Sequence, residues 1–540
     1  MTLFRAFSPD QAVVVRKPTG TYGFITFPTA ELALRAVQWV EATKPIFHKR
    51  KIKAAIADSW NEAALLRPRG RPDPFPGWEP RTSPPLPEEV LARIARFLNF
   101  ADRARMEGVC RAWRAGALAS YASERVLSTT DQRWPQGWAH PSVDTEGLRW
   151  AIMRLGPYVS ELRLDDRWVA ERLRPQVLGI AARGCPRLTT IDLTGATVRP
   201  SALRDLASNA ERLQRFYLGR TIGNVEPELS GVFVAAPRLA SFVATGSGFA
   251  GAALPRMAPT LQEIRLRDCA SLSSASVAAC LAAQRSLSSV ELAQCRALSS
   301  AEPLDALMNN EDLHRSVQEF VVIDIDFAPI IDGAEEEEIP DAADVPDPVF
   351  IELQLGPVEA ARSLPELFRQ LTILRVLFCG WVDVTFIRSV GEHLHQLLEL
   401  DISGCSNVRG QFALESLGNL PRLEKITINN LHPTVSAPAL ATIATLEEVR
   451  ARDSQGITDE DTTAIVRGCS RLVALDVEGC LGVTNQTVIE STEIVRRQGR
   501  ATVLSLSVGG TSVDRWVRVR PSLVLRVLYD RVYQPILRDF

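Results

Sequence analysis

The sequence lacks several features by which enzymes, metalloproteins and membrane proteins are usually recognised. No run approaches the roughly 18 apolar residues of a membrane-spanning helix, and the first residues lack the apolar core of a secretory signal. We therefore expect a cytoplasmic protein, a nuclear protein, or both. The six histidines have no metal-ligand spacing, and no P-loop, G-x-S-x-G, H-E-x-x-H or C-x-x-C motif is present. We expect no catalytic residues, no metal site and no cofactor.

Cysteine is sparse, and the chain is nearly neutral. Nine cysteines in 540 residues, an odd number without a close pair, argue against a disulfide framework and a zinc site. A content of 46% hydrophobic and 23% charged residues is typical of globular proteins, and the length allows two or three domains. A net charge of −3 implies no general attraction to nucleic acid.

Residues 86–114 predict two short helices that share an apolar stripe. Pro87 suits a first helical turn, and Glu88 and Glu89 follow it at the positive end of the helix dipole. Asp102 can cap the second helix. The stripe consists of Val90, Leu91, Ile94, Phe97 and Leu98, and the second helix carries Met106, Val109, Cys110 and Trp113. Two such helices cannot cover this stripe alone, so we expect a partner, the alternative being a hairpin packed on its own domain.

This stretch resembles the F-box, the module that attaches substrate receptors to the Skp-type adaptor and cullin scaffold of SCF-type ubiquitin ligases. The matching residues run from Leu86-Pro87 through Phe97-Leu98 to Val109-Cys110-Arg111 and Trp113. Arg103-Ala104 departs from the leucines that the family often has there. The resemblance implies adaptor contacts by Leu86, Pro87, Val90, Leu91, Ile94, Phe97, Leu98, Val109 and Trp113.

The N-terminal segment, residues 1–58, predicts a small α+β unit. Gln11–Arg16 and Thr21–Phe27 alternate like strands around a turn, residues 29–40 show helical spacing, and residues 51–57 alternate like a further strand. This order resembles the last two-thirds of an RNA-recognition motif. The resemblance implies that Tyr22 and Phe24 share a face and stack on RNA bases. A Pro- and Arg-rich linker follows at residues 59–83.

An apolar-x-x-apolar-x-apolar pattern recurs from Val159 to Val508 with a mean period of about 26 residues. It includes Leu261/Ile264/Leu266, and after an interruption it resumes with Phe350/Leu353/Leu355. Helical spacing lies between the repeats, so each unit predicts one strand and one helix, and stacked units share a core. The pattern resembles the cysteine-containing leucine-rich repeats found behind F-boxes, in which small buried thiols donate weak hydrogen bonds to a neighbouring repeat. The cysteines in question are Cys269, Cys295, Cys379, Cys405 and Cys480.

The predicted fold is thus an α/β leucine-rich-repeat solenoid, a curved parallel sheet with outer helices, behind a helical F-box and a partial α+β segment resembling the RNA-recognition motif. The predicted domains are the F-box at 84–125, a connector at 126–157, the solenoid at 158–513 and a helical cap at 514–540. Residues 324–348 are a proline-containing acidic loop, which is either a solvated insertion or a docking arm for a basic partner.

One residue of each repeat strand is predicted to point onto the concave surface. Along the row that these residues form, the charges alternate in sign, and this pattern suits a specific protein partner better than nucleic acid. The row reads Arg163, Asp192, Tyr217, Val243, Arg265, Glu291, Val321, Gln354, Arg375, Asp401, Thr427, Arg450, Asp476 and Ser505. We expect target contacts from Tyr217, Arg265, Glu291, Arg375, Asp401, Arg450 and Asp476.

Two functions follow as expectations. In the first, the F-box binds the adaptor and the solenoid binds a protein target, which raises the effective concentration of target lysines near the transfer enzyme. In the second, the chain is an RNA-associated scaffold that acts through the N-terminal segment. Adaptor binding without RNA binding would separate the two.

Overall fold

The computed structural model describes residues 11–17, 20–26, 30–43, 46–47, 50–51, 54, 86–130, 145–165, 176–325, 359–500, 502–517 and 524–529. The chain forms two compact units. The first contains residues 1–92 and 104–117, and the second contains residues 93–103 and 118–540.

The N-terminal segment forms an antiparallel hairpin of β1 (Gln11–Lys17) and β2 (Gly20–Thr26), followed by α1 (Ala30–Thr43). The predicted hairpin and helix are therefore confirmed. The expected strand at 51–57 is found only as β4 (Arg50–Lys51), which pairs with β3 (Ile46–Phe47) in a sheet of its own. Lys51 is thus the only residue of that expected strand described in a strand, and the linker at 59–83 lies outside the described residues.

Residues 86–121 form three helices where two were predicted: α2 (Glu88–Arg96), α3 (Phe100–Glu107) and α4 (Arg111–Tyr121). The second predicted helix is divided by a turn at Gly108–Val109, in which the Gly108 amide donates to the Arg105 carbonyl at 2.9 Å. Asn99, not Asp102, precedes α3 as its cap, because its Oδ1 accepts from the Asp102 amide at 2.8 Å. Asp102 returns the bond by accepting from Asn99 Nδ2.

The repeats form one parallel sheet that contains fifteen strands in the described part of the chain. Each strand pairs with its neighbour in sequence, so the order is consecutive from first to last. The strands are β5 (Val126–Ser128), β6 (Glu161–Asp165), β7 (Thr190–Gly195), β8 (Arg215–Leu218), β9 (Ser241–Thr245), β10 (Glu263–Arg267), β11 (Ser289–Ala293), β12 (Glu319–Ile323), β13 (Ile373–Leu377), β14 (Glu399–Asp401), β15 (Lys425–Thr427), β16 (Glu448–Arg450), β17 (Ala474–Asp476), β18 (Leu504–Ser507) and β19 (Leu525–Leu528).

Helices connect most of the strands, and those of adjacent repeats pack against one another. They are α5 (Thr145–Leu155), α6 (Gln176–Gly184), α7 (Pro200–Ala207), α8 (Glu226–Ala235), α9 (Ser274–Ala283), α10 (Glu302–Met308), α11 (Glu311–Ser316), α12 (Glu359–Leu367), α13 (Val384–His393), α14 (Asp459–Gly468) and α15 (Asn485–Gln498), with short 3-10 helices at Leu254–Arg256, Glu415–Asn419 and Pro438–Thr442. The predicted α/β solenoid of parallel strands and intervening helices is confirmed.

The apolar period explains how the repeats pack. In β10, Ile264 and Leu266 are fully buried, whereas Glu263, Arg265 and Arg267 alternate with them on the opposite face. The buried positions of successive repeats join in one core that continues from Phe100 to Val508. Since each repeat covers the apolar face of the next, the array shares a single core along its length.

The sheet extends beyond the predicted solenoid at both ends. β5 lies in the predicted connector and pairs with β6, and α5 lies in that connector as well. At the other end, residues 525–528 form β19 beside β18, so the predicted helical cap is wrong there. Leu525 and Val527 alternate with Arg526, which is a strand pattern.

The acidic loop interrupts the sequence period without interrupting the sheet. β12 pairs directly with β13, from Glu319 opposite Ile373 to Ile323 opposite Leu377. No position remains between these strands for the strand expected at Phe350/Leu353/Leu355. Those residues, Gln354 and nearly all of the predicted insertion lie outside the described residues.

Candidate functional site

Several apolar residues predicted to contact an adaptor are exposed. Leu86 is 38% exposed, Val90 39%, Phe97 87% and Val109 66%, and Pro87 is exposed as well. The Pro87 carbonyl accepts from the amides of Val90 and Leu91 at 3.1 Å, and these bonds form the first turn of α2. Exposing such large apolar side chains to water is unfavourable, and a partner that covers them would lower the free energy.

Leu91 is a correction to the predicted adaptor contacts, because its side chain is completely buried. Gly116 in α4 permits this arrangement. A Cβ atom at Gly116 would lie 2.5 Å from the Leu91 Cβ, too close for any other residue type. Leu91 therefore belongs to the helix packing, and truncating it would destabilise the fold rather than test an interface. Ile94, Leu98 and Trp113 are half-buried.

Arg103, the departure from the family pattern, is completely buried and forms internal contacts. Its Nη1 donates to Glu124 Oε1 at 2.7 Å, its Nε to the Leu98 carbonyl at 3.1 Å, and its Nη2 to the Arg96 carbonyl at 3.0 Å. Its guanidinium also lies 5.6 Å from the centre of the Phe100 ring. Arg103 thus satisfies carbonyls that the end of α2 leaves free and joins them to the segment that enters β5.

The strand register places the predicted target-binding residues in one row across the sheet. Arg163, Asp192, Tyr217, Val243, Arg265, Glu291, Val321, Arg375, Asp401, Thr427, Arg450 and Asp476 are successive partners. The predicted row is wrong at its end, because Asp476 pairs with Ser507 and not with Ser505. We call the sheet face that carries this row the inner face.

Most charges of this row are paired within the protein. Arg265 Nε lies 2.6 Å from Glu263, and its Nη2 lies 3.3 Å from Glu319. Arg375 contacts Glu399 at 2.6 Å, Arg450 contacts Glu448 at 2.6 Å, and Arg452 contacts Asp476 at 2.6 Å. Arg267 pairs with Glu291 through two hydrogen bonds. The repeat pattern did not predict roles for Glu319, Arg267 or Arg452, although each alternates with a core residue.

Three of the predicted target contacts are buried: Glu291, Asp401 and Asp476. Neighbouring arginines cover Glu291 and Asp476, and Asp401 Oδ1 accepts from the Ser403 amide at 3.0 Å and its hydroxyl at 2.6 Å. Burial raises the pKa of the Asp401 carboxyl to about 6, against the lowering effect of the Ser403 hydrogen bonds and Arg375. All three carboxyl groups are thus bonded within the inner face rather than presenting charge to a partner. The half-buried Tyr217, Arg265, Arg375 and Arg450 remain predicted contacts.

The repeated cysteines make the bond that their position predicts. Each thiol is fully buried and lies within hydrogen-bonding distance of a carbonyl in the preceding repeat, at 3.1 Å from Cys405 to Val376 and 2.8 Å from Cys480 to Ala451. Ser454 makes the same bond to Ile428 at 2.6 Å. Burial raises the pKa of the Cys480 thiol to about 12, so this thiol is a poor nucleophile. Of the nine cysteines, all of which are described, Cys110 is exposed.

Tyr22 and Phe24 lie in β2, opposite Val15 and Val13 of β1. That they share a face and contact RNA stays a prediction. Within the residues that the structure describes, no helix is long and apolar enough to cross a membrane, and no three His, Cys, Asp or Glu residues are grouped to hold a metal ion.

Comparison with known proteins identifies one family model. Residues 84–121 match the F-box-like model. No curated protein matches the chain in sequence. Similar solved structures include an internalin (inlF) of Listeria monocytogenes, with 13% identity, 81% of this chain and 94% of that chain covered, and a TM-score of 0.37. A leucine-rich-repeat protein of Leptospira interrogans has 12% identity, 75% and 94% coverage, and a TM-score of 0.38.

The chain therefore contains an F-box-like domain at residues 84–121 and, behind it, a solenoid of parallel strands with intervening helices. This combination is typical of a protein-interaction adaptor.

Proposed function

We propose that the protein is the substrate-recognition subunit of an SCF-type ubiquitin ligase in the cytoplasm or nucleus. Its F-box binds a Skp-type adaptor, which links it to a cullin, and its repeats, which we assign to the cysteine-containing class, bind a protein target. The subunit performs no bond chemistry itself. It acts by holding the target close to the enzyme that transfers ubiquitin.

The observation that carries this proposal is the family match at residues 84–121 together with apolar residues exposed within it. Phe97, at 87% exposure, is a large aromatic side chain of the kind that dominates the binding energy of protein interfaces. The inner face supports the second half of the proposal. Its charges are mixed and largely paired, which suits a shaped protein surface better than a polyanion.

Affinity purification of the full chain tests the proposal. The double variant Val90→Ala/Phe97→Ala truncates two exposed apolar side chains that do not belong to the buried core. Interface truncations of this kind cost on the order of 1–2 kcal/mol each, so adaptor binding should weaken more than tenfold. The adaptor and cullin should be lost from the purified material, whereas target proteins should remain.

Phe412→Ala is the matched control, because Phe412 is 68% exposed and lies outside the F-box. This variant should retain the adaptor. The proposal is wrong if the wild-type chain recovers no Skp-type adaptor, or if the double variant recovers as much as the control.

A further inference from the structure

Three exposed arginines stand at the same position of three consecutive repeats. Arg187, Arg212 and Arg238 each precede the first core leucine of a repeat, just before β7, β8 and β9. Because these strands are hydrogen-bonded neighbours, equivalent residues in adjacent repeats lie roughly 5 Å apart at the backbone. Like charges arranged in this way repel one another unless a negative group lies between them.

Later repeats supply a partner to the arginine at this position. Arg471 Nη2 contacts Glu447 Oε1 at 2.6 Å, and Glu447 directly follows the first core leucine of the preceding repeat. Arg422 Nη1 donates to Gln396 Oε1 at 2.5 Å. An arginine before the first leucine is therefore commonly held by an acceptor of the repeat before it.

The early repeats lack the carboxylate. The residue equivalent to Glu447 is Thr189 for Arg212 and Gln214 for Arg238. Arg212 makes only a 3.4 Å hydrogen bond to the Pro186 carbonyl, and no carboxylate of the described residues forms an ion pair with Arg212 or Arg238. The guanidinium groups of Arg212 and Arg238 thus lack the glutamate that Arg471 has at the equivalent position of the preceding repeat.

The surface around these two arginines forms a cleft. Thr189, Gln214, Arg212 and Arg238 line a cavity of about 690 Å³, which is large enough for several side chains. Val234 at the end of α8, 66% exposed, provides an apolar wall, and Glu211 is the one acidic residue of the lining. The cleft therefore combines two unpaired cations with an exposed aliphatic surface.

A further arginine lies on the inner face, one residue after Gln214 of the cleft. Arg215, the first residue of β8, is exposed and donates from Nε to Thr190 Oγ1 at 3.1 Å. Arg265, Arg375 and Arg450 of the same face each contact a carboxylate, so Arg215 differs from them. Tyr217 lies two residues further along the same face of the strand.

We propose that this cleft binds an acidic segment of a protein target. A glutamate or aspartate side chain of the target occupies, beside Arg212 and Arg238, the place that Glu447 occupies beside Arg471, and an adjacent aliphatic residue packs on Val234. The exposed Val234 favours a peptide, which can place an aliphatic residue on it, over a nucleic acid, whose phosphates would meet this apolar wall unfavourably. The inference rests on the proposed function, because it specifies how the repeats recognise their target.

The test uses the full-length chain and a fluorescein-labelled peptide, Glu-Glu-Leu-Glu-Glu, with Gln-Gln-Leu-Gln-Gln as its neutral counterpart. Fluorescence anisotropy is measured at two salt concentrations. The acidic peptide should bind and weaken with salt, and the neutral peptide should not bind. Arg212→Gln and Arg238→Gln should each weaken binding about tenfold, the range expected for a charge-assisted pair.

The variant Gln214→Glu supplies the missing carboxylate from within the chain. It should pair with Arg238 as Glu447 pairs with Arg471, and so weaken peptide binding while leaving the cleft folded. Arg471→Gln is the matched control, since it removes an arginine at the same repeat position outside the cleft, and it should leave peptide binding unchanged.

Adaptor binding is measured on the same samples. If the wild-type chain binds the adaptor but not the acidic peptide, or if the cleft variants bind the peptide unchanged, the inference is wrong and the proposed function stands. If the wild-type chain binds neither, both fail. Tighter binding of a single-stranded oligouridine, lost in the same variants, would also overturn the inference.

Discussion

Asp401 is a buried carboxyl group whose ionisation opposes folding. Its pKa in the folded protein, about 6, exceeds the ordinary value of 3.8, so the folded state binds the proton more tightly. Stability therefore falls as the pH rises from about 4 through 6. A pKa of about 6 instead of 3.8 corresponds to a loss of at most about 3 kcal/mol in the free energy of unfolding.

Asp401→Asn retains an oxygen that accepts from Ser403 and removes the charge. We expect its free energy of unfolding to match the wild type near pH 4 and to exceed it by about 2–3 kcal/mol at pH 7.5. Urea unfolding at several pH values measures this difference. A difference that does not change with pH would show that Asp401 is not the titrating group.

At the residue level, the sequence shows which side chains are apolar, but it does not decide whether each one faces the core or a partner. Leu91 has the spacing of an adaptor contact, and only the approach of α4 at Gly116 buries it. The run Ala115-Gly116-Ala117 was the available signal, since small residues let helices approach closely. Glu291 and Asp476 were likewise predicted to be free because their arginine partners lie in other repeats.

At the level of elements, Arg103 joins the end of α2 to the chain that enters the sheet. Replacing it with leucine leaves the nearly buried Glu124 without its cation and the carbonyls of Arg96 and Leu98 without donors. Breaking a buried ion pair from one side costs about 3–5 kcal/mol. We expect Arg103→Leu to lower the free energy of unfolding of the F-box region by that amount, as measured by hydrogen exchange of α2 and α3 amides.

A second variant separates the ion pair from the carbonyl contacts. Arg103→Leu/Glu124→Leu removes both charges and should recover part of the loss, because no buried carboxylate is left without the Arg103 cation. Arg114→Leu, at an exposed position of α4, should change stability by less than about 0.5 kcal/mol. Equal protection in Arg103→Leu and the wild type would contradict a structural role for Arg103.

The strands and helices of the repeats were predictable because they recur with the same sequence period. The strands at the two ends of the sheet were not predictable in this way. β5 is three residues long, with Leu127 as its buried residue, so it shows no periodicity of its own. β19 has alternation, but the leucine and valine residues around it also match helical spacing. β5 and β19 form strands because each pairs with a neighbouring strand, and that pairing is a tertiary contact.

For the whole molecule, one core continues from the start of α3 into the last repeats. Phe100 and Tyr121 belong to it, so part of the F-box-like domain and the solenoid share buried surface within the second compact unit. Exposed residues of α2 and its flanks do not contribute to this core, which makes them available to a partner. The proposed function therefore requires that mutations can change adaptor binding and solenoid stability separately.

Titration of a purified Skp-type adaptor into the purified full-length chain tests this requirement most directly. We predict that one adaptor binds per chain with a submicromolar Kd, and that binding is at least tenfold weaker in Val90→Ala/Phe97→Ala at an unchanged melting temperature. The absence of adaptor binding by a wild-type chain whose folding is verified by circular dichroism would contradict the proposed function.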